Sequence, residues 1–561
     1  MKRNITEKER SVIDNISKVA AGFTLLVALT MIFSFLQLKV INPLDSPVLL
    51  SLKEQYDRDP LNTQLAEQIR AMDLMARKAY FSSRWQVETG SYLLLAGAVI
   101  FFICRRIIAG NEKLNPVLDP VKDQTSENMK GRKYLFASAA LVFVAALTVS
   151  LLMRGSLPET SQKKAVTVSN DKNIKLSEPD KTNYPFFRGQ DGRGIVGGSS
   201  YPTQWDGAQM KNIAWKTAIP MQGQSSPVIW ENKIFLTGTD GKNCEVYCID
   251  KKDGSIVWTT PVTGTVGTSE EIQATDNDNG LASSTVAANK NYVCAVFGNG
   301  NLACLDHNGK TIWSMSLGVP ENAYGYASSL IIYEDLLLVQ FDSDSKISLL
   351  GIEMETGETK WETMRTGRPV WSSPVLAYFG GVPQVIINGN PNVTSFDAVT
   401  GKELWSIECL SGDVAPSLAV NSSMVYSVTD YAKLAAIKGG PGASIVWEDN
   451  MFTPDVSSPV ANEQYLFIST GIGDVACYNA QKGDTLWTHY FMDQFYASPV
   501  IADEKVYLLD RNGVMHIVSA GPEYSLIAES PLGERTDCTP AFSDKKIFIR
   551  GKENLYCISE D

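Results

Sequence analysis

The sequence is short of histidine, of paired cysteines and of basic charge. Its three histidines, His307, His489 and His516, lie far apart along the chain, too few and too scattered for a histidine-based metal centre. The nine cysteines include no Cys-x-x-Cys, no adjacent pair and no Cys-x-x-Cys-His, which removes the common zinc, redox and haem-attachment patterns. The formal net charge of -12 argues against a nucleic-acid partner, which would need a basic face. At 561 residues the chain exceeds the roughly 250–300 residues that one core sustains, and two or more units are expected.

Three charge-free apolar runs lie in the N-terminal part. Residues 19–38 lie between Lys18 and Lys39 without a charge. At about 1.5 Å per residue, roughly 20 residues span a bilayer core of about 30 Å. Residues 134–153 form a second such run, and 89–104 a third that extends to Ile108 with Arg105 and Arg106 snorkelling. Three transmembrane helices, at 19–38, 89–108 and 134–153, are therefore expected in a membrane domain over 1–155. Basic residues crowd the segment before the first helix and the loop between the second and third, which reads both as cytoplasmic and the C-terminal part as external. The first helix lacks a small-residue cleavage pattern and reads as a retained anchor. In the external loop 39–88, Leu65, Ile69, Met72 and Ala76 recur at helical spacing. That stripe either packs on the protein's own membrane bundle or docks a partner membrane protein. Residues 156–184 are polar and read as a linker.

From about residue 213 the chain repeats itself. Eight units open on a small-residue phrase and a short apolar run, among them "SSPVIWENKIFLT" (225–237), "SSTVAANKNYVCAV" (283–296), "SSPVANEQYLFIS" (457–469) and "CTPAFSDKKIFIR" (538–550). Each predicts two strands around a polar turn, followed by a third strand such as "VYCID". Then come a turn with Asp and Gly at its ends, as in "DAVTGKELW" (397–405), and a fourth strand that carries Trp. Asp caps its own backbone there and Gly supplies positive φ.

Trp215, Trp258, Trp313, Trp361, Trp405, Trp447 and Trp487 recur 40 to 55 residues apart. Large rings at one place on each outer strand fill the wedges between stacked four-stranded sheets, which is the pattern of a β-propeller. The Trp strand at 212–219 lacks three strands before it, and the unit from Cys538 lacks a Trp strand after it, so the two complete one blade. The fold class is all-β, an eight-bladed propeller over 185–561. The fifth unit, "IKGGPGASIVW" (437–447), and the seventh, which has no Trp, predict differently packed wedges. Cys248, Cys304, Cys477 and Cys557 share one repeat position and read as small buried hydrophobes. Whether Cys294 faces Cys304 across a hairpin is left open.

The Gly-x-x-x-Trp repeats, the "SSPV" openings and the lead-in "PFFRGQDGRG" (185–194) resemble the PQQ-like propeller repeat family. The resemblance implies the fold. It spans quinoprotein dehydrogenases, which hold pyrroloquinoline quinone (PQQ) and Ca²⁺ at one mouth of the channel, and BamB-type scaffolds, which are not enzymes. This chain has neither the adjacent cysteine pair of many such dehydrogenases nor a lipobox cysteine, and its blades are near minimal length. Its longest insertion, 262–282, carries Glu270, Glu271, Asp276 and Asp278 and reads as a solvated loop or a metal site.

Loops before the opening phrases gather at one end of a propeller channel. They hold Gln224, Tyr326, Arg365, Arg368, Trp371, Asp413, Asp455, Asp493, Tyr496, Arg535 and Asp537. Converging acids, arginines and aromatics suit a polar ligand or a peptide, with Trp371 placed to stack on a flat ring and the four Asp as oxygen donors to Ca²⁺. Polar residues are also ordinary in turns. The expectation is a multi-pass protein of the bacterial inner membrane with a periplasmic propeller that scaffolds a protein partner, without catalysis, cofactor or metal. The alternative is a PQQ- and Ca²⁺-dependent dehydrogenase feeding the membrane quinone pool.

Overall fold

The structure, a computed structural model, describes residues 7–40, scattered positions between 93 and 108, and 180–560 apart from 263–279, 323 and 431. The chain divides into two compact units, Met1–Thr167 and Val168–Asp561. In the first, helix α1 (Glu7–Val40) begins in a charged segment and runs through the 19–38 stretch. Lys18 and Asp14 pair across one turn at 2.7 Å on its exposed side. Among the described residues, no helix is long and apolar enough to cross a membrane. The expected three-helix transmembrane region is therefore not borne out: only α1 is continuous, and 89–108 is helical at those positions that are described. The third expected span, most of the 39–88 loop, linker residues 156–179 and the acidic stretch 263–279 lie outside the described residues.

The second unit is the expected propeller. Eight sheets, each with four antiparallel strands that are consecutive in all but the last, make the blades. Blade 1 runs from Val228 to Pro261, blade 2 from Ala287 to Ser316, blade 3 from Ile331 to Met364 and blade 4 from Val375 to Glu408. Blade 5 runs from Ala419 to Asp449, blade 6 from Val460 to Tyr490 and blade 7 from Val500 to Pro531. Blade 8 takes its three inner strands from Ala541 to Ile558 and its outer strand, Ile213–Ala218, from the start of the domain. First and last segments thus close the ring, as the sequence predicts.

Burial explains the strand composition. Second and third strands such as Lys233–Thr239 and Cys244–Asp250 are buried on both faces, whereas outer strands such as Ile256–Pro261 alternate. Each outer strand also has a register shift beside its Trp position, which bends an otherwise exposed edge.

The tryptophans reach across to the next blade. Trp215, Trp258, Trp313, Trp447 and Trp487 donate Nε1–H to a carbonyl in the neighbouring blade's turn at 2.7 to 3.2 Å. The turn glycine lies against the ring. A Cβ at Gly254, Gly309, Gly357, Gly401 or Gly483 would come within 2.2 to 2.8 Å of the preceding blade's Trp. These glycines also hold φ of 68° to 83°, so one residue meets two demands. On its own blade each Trp faces a small residue, in turn Cys557, Cys248, Cys304, Gly351, Ser395, Ala436 and Cys477. This is the position shared by the four cysteines, and all of them are buried and free.

The two irregular units pack differently, as expected. Trp405 has no turn carbonyl in blade 5 and instead donates to Gln384 Oε1 in its own blade at 2.9 Å. In blade 7, Ala528 stands at the Trp position. Trp205, from the segment before the propeller, is buried in the same core cluster, and its backbone N–H bonds Ser530 Oγ.

A second motif is explained only by the closed ring. The N–H of Ser226 donates to Thr285 Oγ1, and that of Thr285 to Ser329 Oγ. The chain of bonds continues through Ser373, Ser417, Ser458, Ser498 and Thr539, whose N–H returns to Ser226 Oγ. All eight bonds lie between 2.8 and 3.1 Å. The repeated hydroxyl of each opening phrase therefore links one inner strand to the next around the whole channel.

Candidate functional site

The lead-in segment lies inside the ring. Asp180 and Gly197 meet at its neck, where the Gly197 N–H donates to the Asp180 carbonyl at 3.4 Å. Between them the chain visits every blade. Lys181 accepts from the Asp544 N–H in blade 8, Tyr184 exchanges two backbone bonds with Ile229 in blade 1, and Pro185 accepts from Ala288 in blade 2. Gly192 lies against Ile331 of blade 3 and Val375 of blade 4. Arg188 donates to the carbonyls of Leu418, before blade 5, and Pro459, before blade 6. Gly194 accepts from Ile501, and Ile195–Val196 adds a parallel strand to blade 7.

Arg188 is fully buried at φ 64°, its charge met by carbonyl oxygens, and burial pushes its pKa down to about 10. The "FRG" phrase is thus a plug for the channel. Its positive-φ Arg-Gly pair turns the chain back inside the ring. Sequence reasoning found the segment but not this role, because its partners come from all eight repeats.

With the channel occupied, the candidate residues form a rim on the face where blades connect. The structure uses them unequally. Tyr326 is buried and donates its hydroxyl to the Gln340 carbonyl at 2.7 Å, so it is a packing residue. The Gln224 backbone bonds Ala282 and its carbonyl accepts from Cys538. Arg365 pairs with Asp342 at 2.6 Å with both side chains buried. Burial pushes the Asp342 carboxyl up, against the pull of Arg365 and of the Val370 N–H. Trp371 ties its indole N–H to the Gly325 carbonyl and meets Tyr324 edge-on at 5.0 Å. Arg368 and Arg535 are exposed and bonded through their backbones.

The acids are spread around the rim. Asp413 is exposed and accepts from Thr429 through its carbonyl, and Asp455 caps the Gly471 N–H. Asp537 holds Arg511 in a two-pronged pair at 2.7 and 3.2 Å, and the same guanidinium lies 3.8 Å from the centre of the Tyr496 ring. Arg511 was not among the expected site residues. It sits in the hairpin loop of blade 7, and nothing in its local sequence marks it.

Asp493 belongs elsewhere. Its carboxylate, the Asp510 carboxylate and the His516 ring form the one group of three or more such side chains among the described residues whose ligand atoms all lie within 4.8 Å of one another. Burial, and then the Asp510 carboxylate, push the Asp493 pKa up. His516 is already engaged at both nitrogens, 3.0 Å from Asp510 and 2.8 Å from Glu529. The expected quartet Asp413, Asp455, Asp493 and Asp537 does not converge. Asp537 is paired with Arg511, and one side of Trp371 meets Tyr324.

The profile of the family described as outer membrane protein assembly factor BamB matches residues 204–368, 345–444 and 432–522, more than half of the chain. The chain belongs to this family. A curated member, the outer membrane protein assembly factor BamB of Yersinia pestis, is 21% identical over 282 residues, covering 48% of this chain and 66% of the relative. The chain therefore spans slightly under two thirds of that relative's length. A solved quinohemoprotein alcohol dehydrogenase from Pseudomonas putida HK5 is 11% identical with a TM-score of 0.52, covering 67% of this chain and 80% of that one. That likeness is one of fold. BamB from Moraxella catarrhalis aligns at 16% identity with a TM-score of 0.47, over 62% of this chain and 97% of its own.

Proposed function

We propose that this BamB-family protein is a membrane-anchored scaffold of the bacterial cell envelope that holds a protein partner on its blade-connecting face. The reading is carried by that face. Tyr324, Met364, Met451, Val456 and Ile472 stand 39 to 68% exposed among the rim's ion pairs. Exposed Met and Tyr within a polar rim are the composition of an interface core. Compact blades with a plugged channel support binding by surface rather than chemistry inside the ring. The anchor rests on the charge-free runs at 19–38, 89–104 and 134–153, and the basic residues around them favour an inner-membrane protein with its propeller in the periplasm. We expect no cofactor.

A photo-crosslinking side chain placed at Met451 in the full chain is expected to give one discrete adduct in cells. The same group at Val399, on the opposite turn face, is expected to give none. Equal labelling from both positions would remove the docking face. Recovery of the full chain in the alkaline-washed soluble fraction would remove the anchor. PQQ with Ca²⁺ is expected to leave tryptophan fluorescence unchanged. Saturable one-to-one quenching lost in Trp371→Ala would favour a dehydrogenase instead.

A further inference from the structure

We propose that Cys294 and Cys304 form a disulfide between the second and third strands of blade 2 when the chain folds in a thiol-oxidising compartment. The two residues are direct partners in the antiparallel register of Tyr292–Val296 with Asn301–Asp306. Their Sγ atoms lie 2.6 Å apart. Opposed residues in such a pair have Cα atoms about 4.5–5.5 Å apart, within the roughly 4.4–6.8 Å that a disulfide accepts.

The repeats make the pairing specific. The third-strand position of Cys304 is also cysteine in blades 1, 6 and 8, and there the cross-strand neighbour is phenylalanine: Phe235 faces Cys248, Phe467 faces Cys477 and Phe548 faces Cys557. In blade 2 a second thiol stands where the ring otherwise fills the core. Four cysteines thus share one repeat position, and one of them has a thiol for a neighbour.

Both residues are fully buried, so neither is open to a reagent in the folded domain. The bond forms while the hairpin is still accessible. One thiolate attacks the disulfide of an oxidising dithiol protein, and the second thiolate resolves the mixed disulfide. The cysteine pair gives up two electrons and two protons, and the oxidant leaves as its dithiol. Oxidation in cells rests on the external placement proposed above. The capacity of the two thiols to pair does not.

The test has two arms on the full chain. Bacteria producing it are quenched in acid, the denatured thiols are blocked with N-ethylmaleimide, and the digest is read by mass spectrometry. The expected result is a Cys294–Cys304 linked peptide and near-complete loss of labelling at these two positions, with the other seven cysteines labelled. In the second arm the purified chain is reduced, unfolded and refolded in a glutathione redox buffer, beside Cys294→Ser. The same linkage is expected in the parent, and Cys304 is expected to be fully labelled in the variant. Linkage on refolding but not in cells would uphold the pair and reject the external placement. Labelling of both thiols in both arms, or pairing of Cys304 with another cysteine, would overturn the proposal.

Discussion

At the residue scale, shape complementarity between Trp and Gly sets the blade spacing. Gly401 holds φ 68°, and a Cβ there would lie 2.2 Å from the Trp361 ring. Gly401→Ala is expected to destabilise the propeller by about 1–3 kcal/mol through overpacking, read as a lower midpoint in urea denaturation. An unchanged midpoint would mean that the wedge yields. His516 offers a test with a pH signature. Burial lowers its pKa, but the carboxylates of Asp510 and Glu529 outweigh burial and leave it raised. A raised value stabilises the fold fully below the unfolded pKa of about 6.5, and the stabilisation is lost as pH rises through the folded value. The stability difference between the parent and His516→Gln is therefore expected to be largest near about pH 6 and to shrink toward about pH 9. An equal difference at both ends would assign His516 to packing alone.

Among elements, the inner strands are coupled by the ring of hydroxyl bonds as well as by apolar contact. Ser373 accepts from the Ser329 N–H, and all eight hydroxyl residues of the ring are buried. Ser373→Ala leaves that donor without its partner, at a cost of about 1–3 kcal/mol. Ser373→Thr is expected to stay near the parent, because blades 2 and 8 already use Thr285 and Thr539 at this position. Thermal unfolding of the two variants side by side distinguishes the hydrogen bond from side-chain volume. If Thr proved as harmful as Ala, close packing rather than bonding would set the position.

For the whole molecule, closure is the decisive event. Ile213–Ala218 pairs with Asn554–Ile558, so the last blade forms only when the two ends of the domain meet. Replacing Trp215 by Ala removes the ring that docks on the blade 1 turn and is expected to cost about 3–5 kcal/mol. It acts at the closure itself. Hydrogen exchange is therefore expected to rise first in strands 213–218 and 554–558. Uniform loss of protection over all eight blades would show closure to be no weaker than the rest of the ring.

Most of the fold was legible in the sequence because its signals are local and repeated. The Asp-to-Gly turn, the Trp behind it and the small opening phrase each sit within one unit, and eight copies reinforce the reading. Even the closing strand announced itself by its missing neighbours. The site was less legible. The composition of the rim loops did not reveal that Tyr326 is buried, that Asp537 is held by Arg511, or that Asp493 belongs with Asp510 and His516. Partners some 20 residues away in sequence meet only once strands are paired.

The sequence by itself determined blade number, turn chemistry and the positions of the wedge-filling rings, because each depends on residues within one repeat. Only the tertiary structure decided that the lead-in plugs the channel through Arg188, that the hydroxyls join head to tail in a closed circle, and that Trp205 enters the core cluster where blade 7 lacks its Trp. Those contacts join residues tens to hundreds of positions apart, and no local pattern encodes them. They exist because a ring brings every inner strand to the same axis.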